Sequence, residues 1–199
     1  MMVQPVVLEA QNVRLEPLSL AHFPRLAEIG LQDDIFRWFT EHVRTEAAMR
    51  KFIVTALEEQ EAGESLPFAT IDRQLGLAVG STRFMNIEPA HLRVEIGGTW
   101  IAPEWQRTPV NTEAKYLMMR HAFETWGCNR VELKTDSLNE QSRRAIARIG
   151  AKEEGIFRNH MVTASGRLRH SVYFSVIRKE WPQVKAALEA KMEKYRAIG

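Results

Sequence analysis

The chain has a single cysteine, Cys128. One thiol forms no internal disulfide and no cysteine zinc cluster, and Cys128 reads as structural. His160 and His170 have no partners at ligand spacing, so no metal site is expected. Nothing approaches the roughly 18 apolar residues of a membrane-spanning helix. The opening MMVQPVVLEAQNVRLEPL has neither the basic region nor the cleavage site of a secretory leader. A cytoplasmic, reducing location is expected, without a membrane partner. Also missing are repeats, low-complexity tracts, linkers, and the interleaved aromatic and basic residues that stack nucleic-acid bases. Nucleic acid is therefore an unlikely partner.

What remains is 199 residues, 45% hydrophobic and 26% charged, enough to build one core. The whole chain, 1–199, is expected to be one domain, with a core over about 8–178 and a terminal helix over 180–197. A net charge of +2 hides an asymmetry. Residues 1–100 hold 9 Lys/Arg against 14 Asp/Glu, and residues 101–199 hold 18 against 11. The basic half suits an anionic ligand, and the acidic half a cationic amine or basic peptide.

Alternation and punctuation set the elements. VVLEAQNVRLE reads as one or two strands. Ser19 caps a helix ending at Gly30, with Pro24 inside it. DDIFRWF is a loop or a single helical turn. A helix runs from Thr45 to about Ala62. Two strands, PFATID and LGLAVGSTRFMNI, meet at a turn over Arg73–Gly76. RVEIGGTWI is a strand whose Gly97-Gly98 pair marks a bulge or a close approach by a ligand. A helix over Pro109–Trp126 follows, then the strand RVELKT and a helix ended by Gly150, with Ser137 and Glu140 fitting a capping box. Next come a hairpin turning at Ser165-Gly166 and a last helix with Pro182 in its first turn. The stripe Val184, Leu188, Met192, Tyr195 on that helix suits docking on the domain's own sheet better than a homodimer. The order predicts a mixed α/β sheet with helices on both faces. A right-handed β–loop–α–β unit sets the N-terminus of the Pro109 helix at the end of the glycine-marked strand, where ligands bind.

That helix begins in WQRTPVNTEAK. With Thr108 as N-cap, Pro109 takes the first helical position, where its missing N–H costs little. The N–H groups of Val110, Asn111 and Thr112 are then free for an anion, beside the charge of Arg107. On the strand before it, Glu95 faces opposite to Val94 and Ile96. From there a carboxylate can take a proton from an attacking ammonium, or simply face solvent or pair with an arginine. In SLNEQSRRAIARIG, Ser142 shares the inward stripe with Ala145, Ile146 and Ile149, while Arg143, Arg144 and Arg148 point more outward.

The segments VEIGGTWI, WQRTPVNTEAKYLMMRHAFE, NRVELKTDSLNEQSRRAIARIGAKEEGIFRNH and SVYFSVIRKEWP occur in that order. With N-x-E-A-K, D-x-x-N-x-x-S and E-G-x-x-R-x-H as the most specific parts, they resemble the GNAT superfamily of acetyl-CoA-dependent N-acetyltransferases. Within it they are most similar to the RimJ/RimL-like branch of ribosomal-protein N-terminal acetyltransferases. The resemblance runs from NVRLEPL to EWP.

It implies a GNAT fold and acetyl transfer to a primary amine, either a protein N-terminus or a small amine, by direct attack in a ternary complex. It implies that the strand ending at Trp100-Ile101 pairs with the pantetheine arm of coenzyme A, that Arg107, Thr108, Val110, Asn111 and Thr112 cradle the pyrophosphate, and that Asn139 meets the pantetheine amides. Ser142 would then sit near the sulfur as acid or thiolate stabiliser, with Glu95 as the base; the tyrosine that many relatives use as acid is replaced by Ile146. Read from the residues themselves, Phe36, Trp38 and Phe39 either wall the acceptor cleft with help from Arg83 and Arg158 or serve as core plugs. The chain departs from the pattern in the loop, where both glycine positions of Q-G-T-G-V-N are filled, by Arg107 and Pro109. That departure supports the alternative, a degenerate GNAT-fold binding or regulatory protein with weakened coenzyme binding.

Overall fold

The computed structural model describes residues 1–32 and 35–196; Asp33 and Asp34, at the head of DDIFRWF, and residues 197–199 lie outside the described residues. The chain begins with β1 (Leu8–Glu9) and β2 (Val13–Pro17), then α1 (Phe23–Gly30), α2 (Glu46–Glu61), β3 (Leu66–Asp72), β4 (Leu77–Glu88) and β5 (Arg93–Ile101). It continues with α3 (Pro109–Arg120), β6 (Arg130–Asp136), α4 (Glu140–Arg148), β7 (Lys152–Val162), β8 (Leu168–Ile177) and α5 (Trp181–Arg196). The eight strands form one sheet in the order β1-β2-β3-β4-β5-β6-β8-β7. Every neighbouring pair is antiparallel except β5 and β6. A parallel pair needs a crossover helix, and α3 supplies it.

Several elements depart from their sequence reading, while α2 opens at its Thr45 cap as expected. Ser19 caps a short 3-10 turn over Leu20–His22, and α1 starts only at Phe23 with Pro24 in its first turn. Thr45 caps α2 by accepting a hydrogen bond from the Ala48 N–H. The Pro109 helix is α-helical only to Arg120 and widens into a π-turn over His121–Thr125. Asn139, rather than Ser137, is the N-cap of α4; its Oδ1 accepts from the Ser142 N–H at 3.0 Å. The apolar stripe of α5 docks chiefly on α3 rather than directly on the sheet: Tyr116 donates to Glu189 at 2.7 Å, and Phe123 stacks on Trp181.

Two cores flank the sheet. One joins Val94, Ile96, Ile101, Val131 and Leu133 to α3 and α5. The other joins Ala69, Ile71, Ala78 and Trp100 to α1 and α2. Along β5, Val94 and Ile96 enter the first core, so strict alternation would send Trp100 to that same side, away from Glu95. An inserted residue is present, and the register against β4 absorbs it: Trp100 pairs with Ser81 and Gly97 with Arg83, so three β5 steps match two on β4. The result moves Trp100 to the α1/α2 side and Thr99 and Ile101 to the α3 side. Gly98 adopts φ +56° there, and a Cβ would stand 2.6 Å from Arg83 Nε. Glycine satisfies both demands.

α3 is buried around nearly its whole circumference, as befits a helix held between a sheet and a second helix. Glu113 accepts from the Asn12 N–H (2.8 Å), Asn12 Nδ2 (2.6 Å) and the Val13 N–H (3.2 Å), fixing α3 to the start of β2. Lys115, 6% exposed, donates to Thr99 Oγ1 at 2.6 Å just behind the bulge. Among the described residues it has no carboxylate partner, and burial lowers its pKa to about 7. Cys128 is buried and its thiol is pushed up to about 11 by the same desolvation.

Lys115 links stability to pH. Its folded pKa lies below its unfolded value, so between about pH 7 and 10.5 the unfolded chain holds the extra proton and stability rises with pH. Chemical denaturation between pH 7 and 9 is expected to show a rise with a limiting slope of about 1.4 kcal/mol per pH unit from this group. Lys115→Met is expected to flatten the rise; an unchanged slope would assign it to other groups.

Candidate active site

The parallel pairing of β5 and β6 covers only Arg93↔Arg130, Val94↔Val131 and Glu95↔Glu132. Beyond it β5 stays with β4 and β6 stays with β8. The two strands therefore diverge, and the edge of β5 from Ile96 to Ile101 faces a cleft with no strand of the described residues paired to it. An unpaired edge offers N–H and C=O groups to an extended partner. Glu95, Gly97 and the bulge stand where the strands part.

Glu95 is 1% exposed. Its Oε2 accepts from Lys134 Nζ at 2.9 Å and from Asn86 Nδ2 at 2.8 Å. Its Oε1 lies beside Gly97, where an added Cβ would approach it to 3.1 Å. One carboxylate oxygen is thus held and the other faces the glycine. The pairing that the sequence left to an arginine is made by a lysine.

At the mouth of the cleft, the loop before α3 is tied down at several points. Trp105 Nε1 donates to Asp72 Oδ2 (2.8 Å), Gln106 Nε2 donates to the Ile101 carbonyl (3.0 Å), and Thr108 Oγ1 donates to the Trp105 carbonyl (2.7 Å). Thr108 is the N-cap and Pro109 the first helical residue, as expected. The Val110 N–H, expected to be free, points to Thr108 Oγ1 at 3.4 Å. Asn111 Oδ1 is buried without a partner, and Thr112 Oγ1 accepts from Arg148 Nη2 at 3.1 Å. Arg148, read as outward, thus joins α4 to the first turn of α3. Arg107 is exposed and adopts φ +63°. A backbone shape that suits glycine has been kept with an arginine in it.

Across the cleft, Gln141 Nε2 donates to Gln106 Oε1 at 3.1 Å, so α4 reaches the loop. Ser142 is half-buried beside Ile146. Asn139, read as a ligand for an amide, has its Oδ1 engaged as helix cap. The Trp100 side chain lies in the core between Gly30 and Phe36, with its Nε1 buried and unpartnered, so only the backbone of Trp100-Ile101 is placed for an extended ligand. Arg83 is also engaged. Its Nη1 bonds Glu59 Oε2 at 2.6 Å, and its guanidinium lies over Phe52; it supports the bulge rather than lining the acceptor side.

The face of β6 and β8 that carries Glu95 also carries Glu132, Lys134 and Asp136 opposite Ser175, Tyr173 and Ser171. Trp38 reaches this face, where its carbonyl accepts from Arg169 Nη1 at 3.2 Å and its ring lies under Arg167. Phe36 and Phe39 pack on Phe52 instead, inside the α1/α2 core. Arg158 sits in a bulge of β7, where Phe157 pairs with Ser171 and Met161 with Arg169. His160, in the same bulge, approaches Ser171 Oγ at 3.0 Å and Tyr173 edge-on. Sequence reasoning missed Lys134, Tyr173 and Arg169. The alternation of RVELKT and of LRHSVYFSVI was available to place them, but not the bulge that brings His160 beside them.

Arg107 at φ +63° carries a cost of about 1–2 kcal/mol relative to glycine in the folded chain, partly offset by the greater unfolded freedom of glycine, ~0.5–1 kcal/mol. Arg107→Gly is therefore expected to raise the melting temperature by about 1–4 °C. A lowered melting temperature in a thermal scan would mean that the arginine side chain stabilises the loop more than its backbone strains it.

Among the described residues no group of three His, Cys, Asp or Glu side chains is placed to hold a metal ion, and no helix is long and apolar enough to cross a membrane. Residues 12–152 match the family described as "Acetyltransferase (GNAT) domain". The chain is 30% identical over 175 residues to the Bacillus subtilis (strain 168) protein named "Putative ribosomal N-acetyltransferase YdaF", covering 86% of this chain and 94% of that one. It superposes with a TM-score of 0.87 and 36% identity on a GCN5-related N-acetyltransferase from Brucella melitensis, over 94% of this chain and 86% of that one. It shares its fold, at 21% identity and a TM-score of 0.82, with Mycobacterium smegmatis RimJ solved in complex with CoA-disulfide, over 94% of this chain and 95% of that one. The family match over residues 12–152 and a 30% identical relative covered over 94% of its length show that the chain belongs to the GNAT acetyltransferase family.

Proposed function

We propose that the protein is an acetyl-CoA-dependent N-acetyltransferase of the RimJ/RimL-like branch, acting on a primary amine by direct attack in a ternary complex. The observation that carries the reading is the free edge of β5, opened by a three-residue parallel pairing and ending at a helix start with anion-binding geometry. The residues fit the co-substrate. The β5 edge suits the amides of a pantetheine arm, and the exposed Arg107 stands just before the Thr108 cap of α3, near the position for a pyrophosphate. The retained left-handed backbone at Arg107 favours an intact cradle over the degenerate reading.

Bound acetyl-CoA supplies a thioester already activated toward amines. The chain's contribution is to position the amine and manage one proton. Attack joins the amine nitrogen to the acetyl carbon, the carbon–sulfur bond breaks, and the ammonium proton passes to Glu95 Oε1 directly or through water. The Ser142 hydroxyl stabilises the leaving thiolate by donating a hydrogen bond, or passes it a proton while recovering one from water. A backbone N–H at the Gly98 bulge polarises the acetyl carbonyl. Lys134 and Asn86 orient the carboxylate by holding Oε2.

Calorimetry with acetyl-CoA tests the cradle: micromolar affinity is expected of the wild type. No binding by the wild type, with binding restored by Arg107→Gly/Pro109→Gly, would establish the degenerate reading instead. Once an acceptor is found, Glu95→Gln is expected to lower kcat by about 10²-fold or more, and Ser142→Ala to lower kcat more than acetyl-CoA affinity. Wild-type rates in either variant would remove that residue from the chemistry.

A further inference from the structure

Two clefts share a wall on β7, and their charges are opposite. The larger, about 910 Å³, is lined by Phe157, Arg158, Asn159, His160 and His170, with no acid among them. The other, about 570 Å³, includes four glutamates, Glu88, Glu95, Glu132 and Glu154, against two arginines, Arg93 and Arg130. Phe157 lines both. Arg158 is exposed and makes no hydrogen bond or ion pair among the described residues. Asn159 adopts φ +50°, and its N–H donates to His170 Nδ1 at 2.8 Å, so the bulge that presents Arg158 is a built feature.

Behind the basic cleft lies a second cation. Arg169 is 8% exposed, its Nε is buried without a partner, and its one hydrogen bond goes to the Trp38 carbonyl. Two other arginines have an unpartnered Nε, but Arg83 has Glu59 and Arg14 has Glu16 within ion-pair distance. Arg169 has no carboxylate at that distance among the described residues, because nearby Asp136 is paired with Arg167. The field of Arg169 reaches His160, where together with burial and Lys134 it disfavours the imidazolium. An unbalanced buried guanidinium is costly without a counter-charge.

We propose that the acceptor is a zwitterion, a small amine that also carries a carboxylate, with its amine on the glutamate side at Glu95 and its carboxylate on the basic side at Arg158, backed by Arg169. This deepens the acetyltransferase reading and rests on it. A carboxylate matches the single charge of Arg169; a phosphate would bring close to two. The aromatic edge of Phe157, shared by the clefts, accommodates the apolar part between the two charges.

The test compares matched acceptors with acetyl-CoA as donor: L-phenylalanine against 2-phenylethylamine, and 5-aminopentanoate against butylamine. The expected result is a preference in kcat/KM of tenfold or more for the carboxylated member of at least one pair. Arg158→Ala and Arg169→Gln are each expected to shrink that ratio, with Arg169→Lys restoring part of it. 3-Phenylpropanoate should inhibit wild-type enzyme competitively against the amine, whereas 3-phenylpropanol should not, which tests the subsite even where a variant fails to fold. No preference in either pair, or a preference that both arginine variants keep, overturns the proposal. So does a stronger preference for O-phosphoethanolamine over ethanolamine, or for a peptide N-terminus over every free amino acid. Calorimetric binding of acetyl-CoA separates the readings: binding without discrimination sinks the zwitterion alone, and no binding sinks both.

Discussion

Everything at the site depends on how short the parallel contact between β5 and β6 is. Three residue pairs join the strands, and each then follows its antiparallel partner away from the other. Sheet twist favours such divergence, but divergence alone would leave a wedge of unpaired backbone that water or side chains would fill. Two features turn the wedge into a site. α3 enters at the open end, with Thr108 capping it and its first-turn donors at the mouth. At the narrow end, the extra residue at Gly98 lets one strand carry a buried carboxylate at Glu95 and still deliver Trp100 to the α1/α2 core. Lys115 closes the rear of the bulge through Thr99 without bringing a competing carboxylate near Glu95.

The buried charges repeat one pattern with one departure. Glu95 has Lys134, Arg83 has Glu59, and Glu113 has three donors from the start of β2. Each is satisfied locally, as low-dielectric surroundings demand. Lys115 meets the demand by a lowered pKa. Arg169 has neither route. A guanidinium does not deprotonate under these conditions, and its nearest carboxylate belongs to Arg167.

Much of the fold was legible because its signals are local. The bounds of β5, the αL glycine at the end of α2, the hairpin at Gly166 and the Thr108–Pro109 helix start follow from residue types and alternation. What could not be read depends on partners distant in sequence. Glu95 alternates toward the cleft whether its partner is a lysine or an arginine, and only the β5–β6–β8 register brings Lys134 to it. Arg83 sits on a strand like any exposed cation until Glu59, 24 positions away, claims it. The cap of α4 was misplaced because Ser137 and Glu140 satisfy the local pattern as well as Asn139 does; Asp136 draws the Leu138 N–H into a turn and moves the helix start forward.

The loop Gln106–Asn111 illustrates how far residue identity and backbone shape can separate. Read by residue type, two lost glycines imply weakened coenzyme binding. Read by backbone, Arg107 holds the left-handed turn at φ +63° and Pro109 fits the one helical position where its missing N–H costs little. The hydrogen bonds from Trp105, Gln106 and Thr108 supply the rigidity that allows a non-glycine residue to stay there. Where the first-turn N–H groups point is set by these anchors, and neither position 107 nor position 109 needs a glycine for it.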